Sequence, residues 1–210
     1  MLSFGTDDYY SSRTRRYLVY DNPAPPLIPT PSPGVTVVPP RLDVEELVAL
    51  RTALAFGELL GRVVILPRFH CLDQTPPQFK ECPLNSLINI SAFDESFAGK
   101  YRENSFLRHP LVPKSTLSSR TQPYRIHIQG PEELGEPIVM PAADATLLTI
   151  SGNVTSGDVI RWFGDVDRAV LVFDSLAFPA PRFSTTAQTN EFNDRANKAF
   201  QRSNYRQIKP

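Results

Sequence analysis

The chain has 210 residues, of which 41% are hydrophobic and 21% charged, which is globular usage and enough for one domain with a hydrophobic core rather than two large ones. Its 22 basic and 22 acidic residues cancel, so it lacks the basic footprint with which proteins hold nucleic acid or an anionic membrane surface, and no nucleic-acid partner is expected. No apolar run reaches the ~20 residues that span a bilayer; the best stretch, residues 47–60, is broken by Arg51 and Glu58.

Residues 1–16 read as a polar lead-in. The opening MLSFGTDDYY lacks the basic-then-apolar order of a secretory signal, so the chain is either cytosolic or a piece whose targeting segment lies elsewhere. Tyr17–Tyr20 has strand composition and runs into turn chemistry at Asp21-Asn22-Pro23. Many of the 21 prolines then fall within residues 22–40. Proline has no N–H and a fixed φ, so this stretch is expected to run extended over a surface. Pro26 and Pro29 fit the PxxP spacing of an SH3 ligand, with a plain connecting arm as the alternative. Residues 35–38 have the composition of a short edge strand.

The strongest element follows. Asp43 is placed to cap a helix, and Glu46 stands three residues on, close to a capping-box pattern. Val44, Leu47, Val48, Leu54, Ala55 and Leu59 recur at helical spacing, and Gly61 is placed to end the helix in the left-handed conformation. Val63, Val64, Ile65 and Leu66 then form a continuous apolar run closed by Pro67, the pattern of a strand covered on both faces. A helix feeding such a strand is the repeating half of a Rossmann-like layer.

Residues 68–113 read as irregular, with a short helix over residues 92–100. Residues 124–128 alternate as a half-buried strand does, and residues 145–150 form a further strand candidate. Ser156 or Asp158 is placed to cap a helix running through Trp162. Residues 168–173 form a second buried-strand candidate, ending at Asp174-Ser175, and residues 191–202 a polar terminal helix. The expected fold is α/β: a mainly parallel Rossmann-like sheet with flanking helices and long proline-rich loops. Residues 1–40 would form the lead-in and arm, and residues 41–210 a single domain.

Cys71 and Cys82 are the only cysteines. His70 adjoins Cys71, but adjacent residues rarely converge on one ion, and a metal site would need more ligands. A pair that closes a short loop just after a buried strand suits a disulfide, and hence an oxidising compartment; the alternative is two reduced core thiols. The glycosylation patterns Asn89-Ile90-Ser91 and Asn153-Val154-Thr155 point the same way as the disulfide. Asp165-Val166-Asp167 has the DxD spacing with which sugar transferases hold Mg²⁺ or Mn²⁺ on a nucleotide diphosphate. It lies between a helix and the next strand, where turn residues are also expected. No G-x-S-x-G elbow, P-loop or G-x-G-x-x-G is present. Ligands of open α/β sheets bind at the carboxyl ends of strands, which makes Arg68 and Asp174 the candidate substrate-binding residues, with a capping or turn role the alternative for Asp174.

Leu50-Arg51-Thr52-Ala53-Leu54-Ala55, then residues 60–67 (LGRVVILP), then Cys71, resemble "LR-x-ALA…LNRT-x-VLP…C" of plant-type arabinosyl- and xylosyltransferases of the nucleotide-diphospho-sugar transferase class. Cys82-Pro83-Leu84 resembles that family's "CPLDHV". Residues 101–107 (YRENSFL), with Pro110, Pro113 and Lys114, resemble its "REYSFL-x-NP-x-x-PK". The match covers residues 50–115, with a faint echo over residues 165–173, and the helix–strand piece alone is shared with O-fucosyltransferases. The resemblance implies a Golgi-type or secretory-lumen enzyme with a nucleotide-sugar donor and a glycan or glycoprotein acceptor, the alternative location being cytoplasmic. That family's metal-binding DxD and donor site lie upstream of the matching region, and nothing before Leu50 resembles them. The match would then be to the family's carboxyl-terminal part, with no catalytic residue carried over, and with Mn²⁺ or Mg²⁺ implied only where a donor site is complete. The reading from a different class is a non-catalytic α/β binding or scaffolding domain without a donor site.

Overall fold

The computed structural model describes residues 6–22, 25, 42–74, 77–116, 124–129, 145–149 and 154–201. Helix α1 (Thr6–Ser11) leads into β1 (Tyr17–Tyr20), and α2 (Leu42–Leu60) into β2 (Val63–Ile65). A hairpin of β3 (Phe69–Gln74) and β4 (Pro77–Cys82) precedes α3 (Ile90–Phe97) and the short β5 (Tyr101–Arg102). Strands β6 (Tyr124–Gln129) and β7 (Ala145–Thr149), helix α4 (Ser156–Phe163), strand β8 (Val170–Phe173) and helix α5 (Thr186–Ala199) complete the order. Six strands form one sheet in the order β5-β2-β1-β8-β6-β7, and every neighbouring pair is parallel.

The apolar runs explain why the sheet closes as it does. Leu18, Tyr20, Val64, Leu171 and Phe173 point to one face and enter a core with Leu50, Leu54 and Phe56 of α2 and aromatic residues of the later helices. Tyr17, Ile65, Val170 and Val172 point to the other, where Phe106, Leu107 and Val112 cover them. This alternation follows from the two-residue period of a strand, and burial on both faces is why β2 and β8 read as unbroken apolar runs. Both segments are buried strands of one parallel sheet with α2 against its face, as the sequence predicts.

Several expectations are corrected. β1 lies on the amino-terminal side of residue 40 yet sits between β2 and β8, so the sheet draws on residues before that boundary. Residues 68–113 are not irregular throughout: they hold the β3–β4 hairpin, whose polar residues and paired prolines hide the strand alternation. Helix α2 begins at Leu42, so Asp43 lies inside its first turn, and Glu46 bonds elsewhere than in a capping box. The cap of α4 is Thr155, whose hydroxyl accepts from the Asp158 N–H while the Asp158 carboxylate accepts from the Thr155 N–H. Helix α5 starts at Thr186, capped by Thr185, ahead of the expected residue 191. The proline-rich stretch, the edge strand expected at residues 35–38 and Asn153 lie outside the described residues.

Two residues set the join between α2 and β2. Gly61 takes φ +61°, the left-handed turn that reverses the chain. Gly57 lies so close to the strand that a Cβ there would sit 2.9 Å from both the Arg62 carbonyl oxygen and Val64 Cγ2. Arg62, only 4% exposed, then spans the amino ends of β1 and β8, donating to the carbonyls of Val166 and Arg168 (2.8 Å each) and of Tyr17 (3.4 Å). Burial lowers its pKa to about 10, with Arg16 adding to the shift and Asp167 opposing it. Arg62→Ala is expected to lower stability by ~3 kcal/mol in urea unfolding, because it strands buried carbonyls. Arg62→Lys should recover only part, since one ammonium lacks the spread of a guanidinium fork.

Candidate functional site

The carboxyl ends of β1 and β2 open into a cleft with two lobes. The segment Leu66-Pro67-Arg68 and the side chain of Asn104 border both. Asn104 Nδ2 donates to the Leu66 carbonyl (3.3 Å), and Asn22 Nδ2 donates to the Arg68 carbonyl (2.8 Å), so the dividing segment is held from both sides.

The first lobe, about 410 Å³, includes Asp21, Asn22, Arg68, His70 and Arg108. Its floor is Tyr20, 1% exposed, whose phenolic pKa is pushed well up by burial and by the nearby Glu46. The second lobe, about 520 Å³, runs between β4 and α3 and includes Glu81, Asp94, Tyr101 and Glu103. Tyr101 donates its hydroxyl to Asp94, and burial followed by that bond raises its pKa. The lobes therefore differ in sign: two guanidiniums, Arg68 and Arg108, against Asp21 in the first, three carboxylates against the shared Arg68 in the second.

The wall between β3 and β4 is cross-linked. Cys71 and Cys82 form a disulfide with Cα atoms 5.7 Å apart, inside the range such a bridge needs. Cys71 faces Lys80 and Cys82 faces Phe69 in the hairpin register, so the bridge runs diagonally across the strands. Cys82 lines the second lobe. The sequence reading of this pair as a disulfide agrees with the structure.

The remaining candidates separate. Arg68 lines both lobes but is engaged by Glu81 at 2.6 Å, an exposed pair of modest strength. Asp174 follows β8 at the carboxyl end of the sheet and borders neither lobe. Asp165 and Asp167 occupy the turn before β8, at the opposite end of the sheet, where Asp167 accepts from Arg16 at 2.8 Å. No group of three or more metal-ligating side chains occurs among the described residues. Asn89 is exposed and caps α3, its Oδ1 accepting from the N–H groups of Ser91 and Ala92.

Sequence reasoning missed the contact between Glu46 and His70 at the site. Glu46 has no solvent exposure; its Oε2 accepts from the His70 backbone N–H (2.9 Å) and its Oε1 lies 2.6 Å from His70 Nδ1. The signal was present, because Glu46 stands one turn before Leu50 and two before Ala53, on the buried face of α2.

No family model matches the chain, and no curated protein matches it in sequence. Among solved structures it is similar to POFUT1 in complex with GDP (14% identity, TM-score 0.45, covering 91% of this chain and 51% of that one). It is likewise similar to POFUT1 in complex with GDP-fucose (13% identity, TM-score 0.47, covering 90% and 52%). The chain thus spans about half the length of the structures it matches. POFUT1 is a GDP-fucose O-fucosyltransferase, not a member of the arabinosyl- and xylosyltransferase family whose motifs the sequence resembles. No helix among the described residues is long and apolar enough to cross a membrane.

Proposed function

We propose that this chain forms one part of a nucleotide-sugar-dependent glycosyltransferase and lines the cleft in which sugar passes from a nucleotide-diphospho-sugar to a glycan or glycoprotein. The observation that carries this reading is the wall built from Cys71 and Cys82. The same two cysteines that fit the transferase motifs bridge a hairpin beside a cleft at the carboxyl ends of parallel strands, where α/β proteins bind ligands. Opposite charge in the two lobes supports it, since a diphosphate and a neutral polyhydroxyl acceptor ask for different surroundings.

A second reading, a non-catalytic binding domain, draws on specific features as well. Arg68 is engaged by Glu81, and Asp165 and Asp167 lie at the far end of the sheet. The first turn of α2 carries Asp43 and Glu45, with Glu46 next, so its positive end is already met by carboxylates. Any complete donor site, with Mg²⁺ or Mn²⁺, would then need residues from beyond this chain. Calorimetric titration with UDP- and GDP-sugars plus Mn²⁺ should accordingly give no micromolar binding to the isolated chain. Micromolar, metal-dependent binding lost in Asp165→Ala would reverse this and make the chain itself the donor domain.

A secretory-pathway lumen suits the disulfide and the exposed sequon at Asn89. Expressed through that pathway, the chain should carry an endoglycosidase-sensitive mass on the Asn89 peptide. Ser91→Ala should remove it while leaving the Asn89 cap of α3 in place. An unmodified Asn89 would count against a luminal location.

A further inference from the structure

Glu46 holds His70 in one protonation pattern. With Glu46 ionised, its carboxylate only accepts hydrogen bonds, and the 2.6 Å contact between Oε1 and Nδ1 then puts the proton on Nδ1. A neutral imidazole carries one N–H, which leaves the lone pair on Nε2. His70 lines the first lobe, and its side chain keeps 18% exposure while Glu46 has none. His109 has the opposite arrangement: its Nδ1 accepts from the Leu111 N–H at 3.3 Å, so its proton belongs on Nε2, and its ring stacks on Tyr10.

We propose that His70 Nε2 is the proton acceptor of the carboxyl-end cleft, taking the proton of an acceptor hydroxyl, with Glu46 as its positioning residue. The identity of the substrate rests on the glycosyltransferase reading; the state of the histidine does not. In the transfer, the acceptor hydroxyl gives its proton to Nε2 as its oxygen bonds the anomeric carbon. The anomeric carbon–oxygen bond to the diphosphate breaks, and its electron pair leaves on the phosphate oxygen. The imidazolium formed is stabilised by the Glu46 carboxylate and returns its proton to solvent.

The groups around the ring fit this role. Tyr20 lines the same lobe from β1, with its hydroxyl unbonded among the described residues. Glu81 faces His70 across the hairpin and is paired with Arg68. Asp21, Arg68 and Arg108 line the same lobe. A purely structural tie between α2 and the hairpin would be served by the backbone bond alone.

Glu46→Gln separates the two roles. Its amide oxygen can still accept from the His70 N–H, which turns the amide nitrogen, a donor, toward Nδ1. The ring must then protonate on Nε2, and the lone pair facing the lobe is lost without loss of the tie. Nitrogen-15 correlation spectra of the full chain near neutral pH should show His70 protonated on Nδ1 and His109 on Nε2, with Glu46→Gln switching His70 alone. Diethyl pyrocarbonate, mapped by mass spectrometry, should modify His70 at Nε2 faster than His109, an advantage lost in Glu46→Gln. In the complete protein, His70→Gln should lower kcat for nucleotide-sugar transfer by ~10²–10⁴-fold with little change in donor KM.

An Nε2-protonated His70 in the native chain, reactivity indifferent to Glu46→Gln, or turnover indifferent to His70→Gln would each overturn the proposal. The expected tautomer and reactivity in a complete protein that turns over no nucleotide sugar would support the proton acceptor and remove the glycosyltransferase reading instead.

Discussion

A carboxylate taken wholly out of water needs partners for its oxygens, and Glu46 finds two on one residue. That requirement ties the first turn of α2 to the start of β3 and so decides where the hairpin stands relative to the sheet. Without it, β3 and β4 would be a two-stranded ribbon held to the domain by the burial of Phe69 and the packing of Cys71 and Cys82 against the core, and such ribbons are marginal alone. With it, and with the Cys71–Cys82 bridge closing the ribbon on itself, the hairpin becomes a fixed wall. The cleft exists because that wall stands clear of α3 and of the carboxyl ends of β1 and β2.

The two ends of the sheet are built for different purposes. At the amino ends, Arg62 draws the carbonyls of Tyr17, Val166 and Arg168 onto one guanidinium, and Gly57 lets α2 close over the strand. The Arg62 guanidinium there is turned inward on the fold, while Arg16 and Asp167 pair at the surface. At the carboxyl ends the side chains of Asn22 and Asn104 hold a backbone segment, and charged groups remain along the two lobes. Charge is divided between them, basic on the β1 side and acidic on the α3 side.

Much of this fold was legible in the chain. Apolar runs at residues 63–66 and 169–173 have the pattern of strands covered on both faces, and the stripe from Val44 to Leu59 with Gly61 that of a helix ending there. What stayed hidden has physical causes. The hairpin is polar and flanked by prolines, and its stability comes from a cross-link and a distant carboxylate rather than from alternation. β1 was legible as a strand but not as an inner one, because four residues carry no record of their neighbours. The short loop that Cys71 and Cys82 close after a buried strand suited a disulfide, with two reduced thiols as the alternative, whereas the meeting of Glu46 with His70 spans 24 positions and depends on how α2 lies across the sheet. Asp165 and Asp167 have the residue types for a metal, but their place between a helix and a strand pointed to a turn, and they lie in that turn at the amino end of the sheet.

The central claim is that Glu46 pins the hairpin that makes the cleft, and amide exchange at His70 tests it most directly. The His70 N–H bonds to Glu46, not to a strand of the hairpin, so its protection reports on that contact alone. Measured by nuclear magnetic resonance on the native chain, the His70 amide should exchange as slowly as that of Val64 in β2, and Glu46→Ala should abolish this protection while leaving Val64 unchanged. A His70 amide that exchanges freely in the native chain, or that stays protected in Glu46→Ala, would contradict the account.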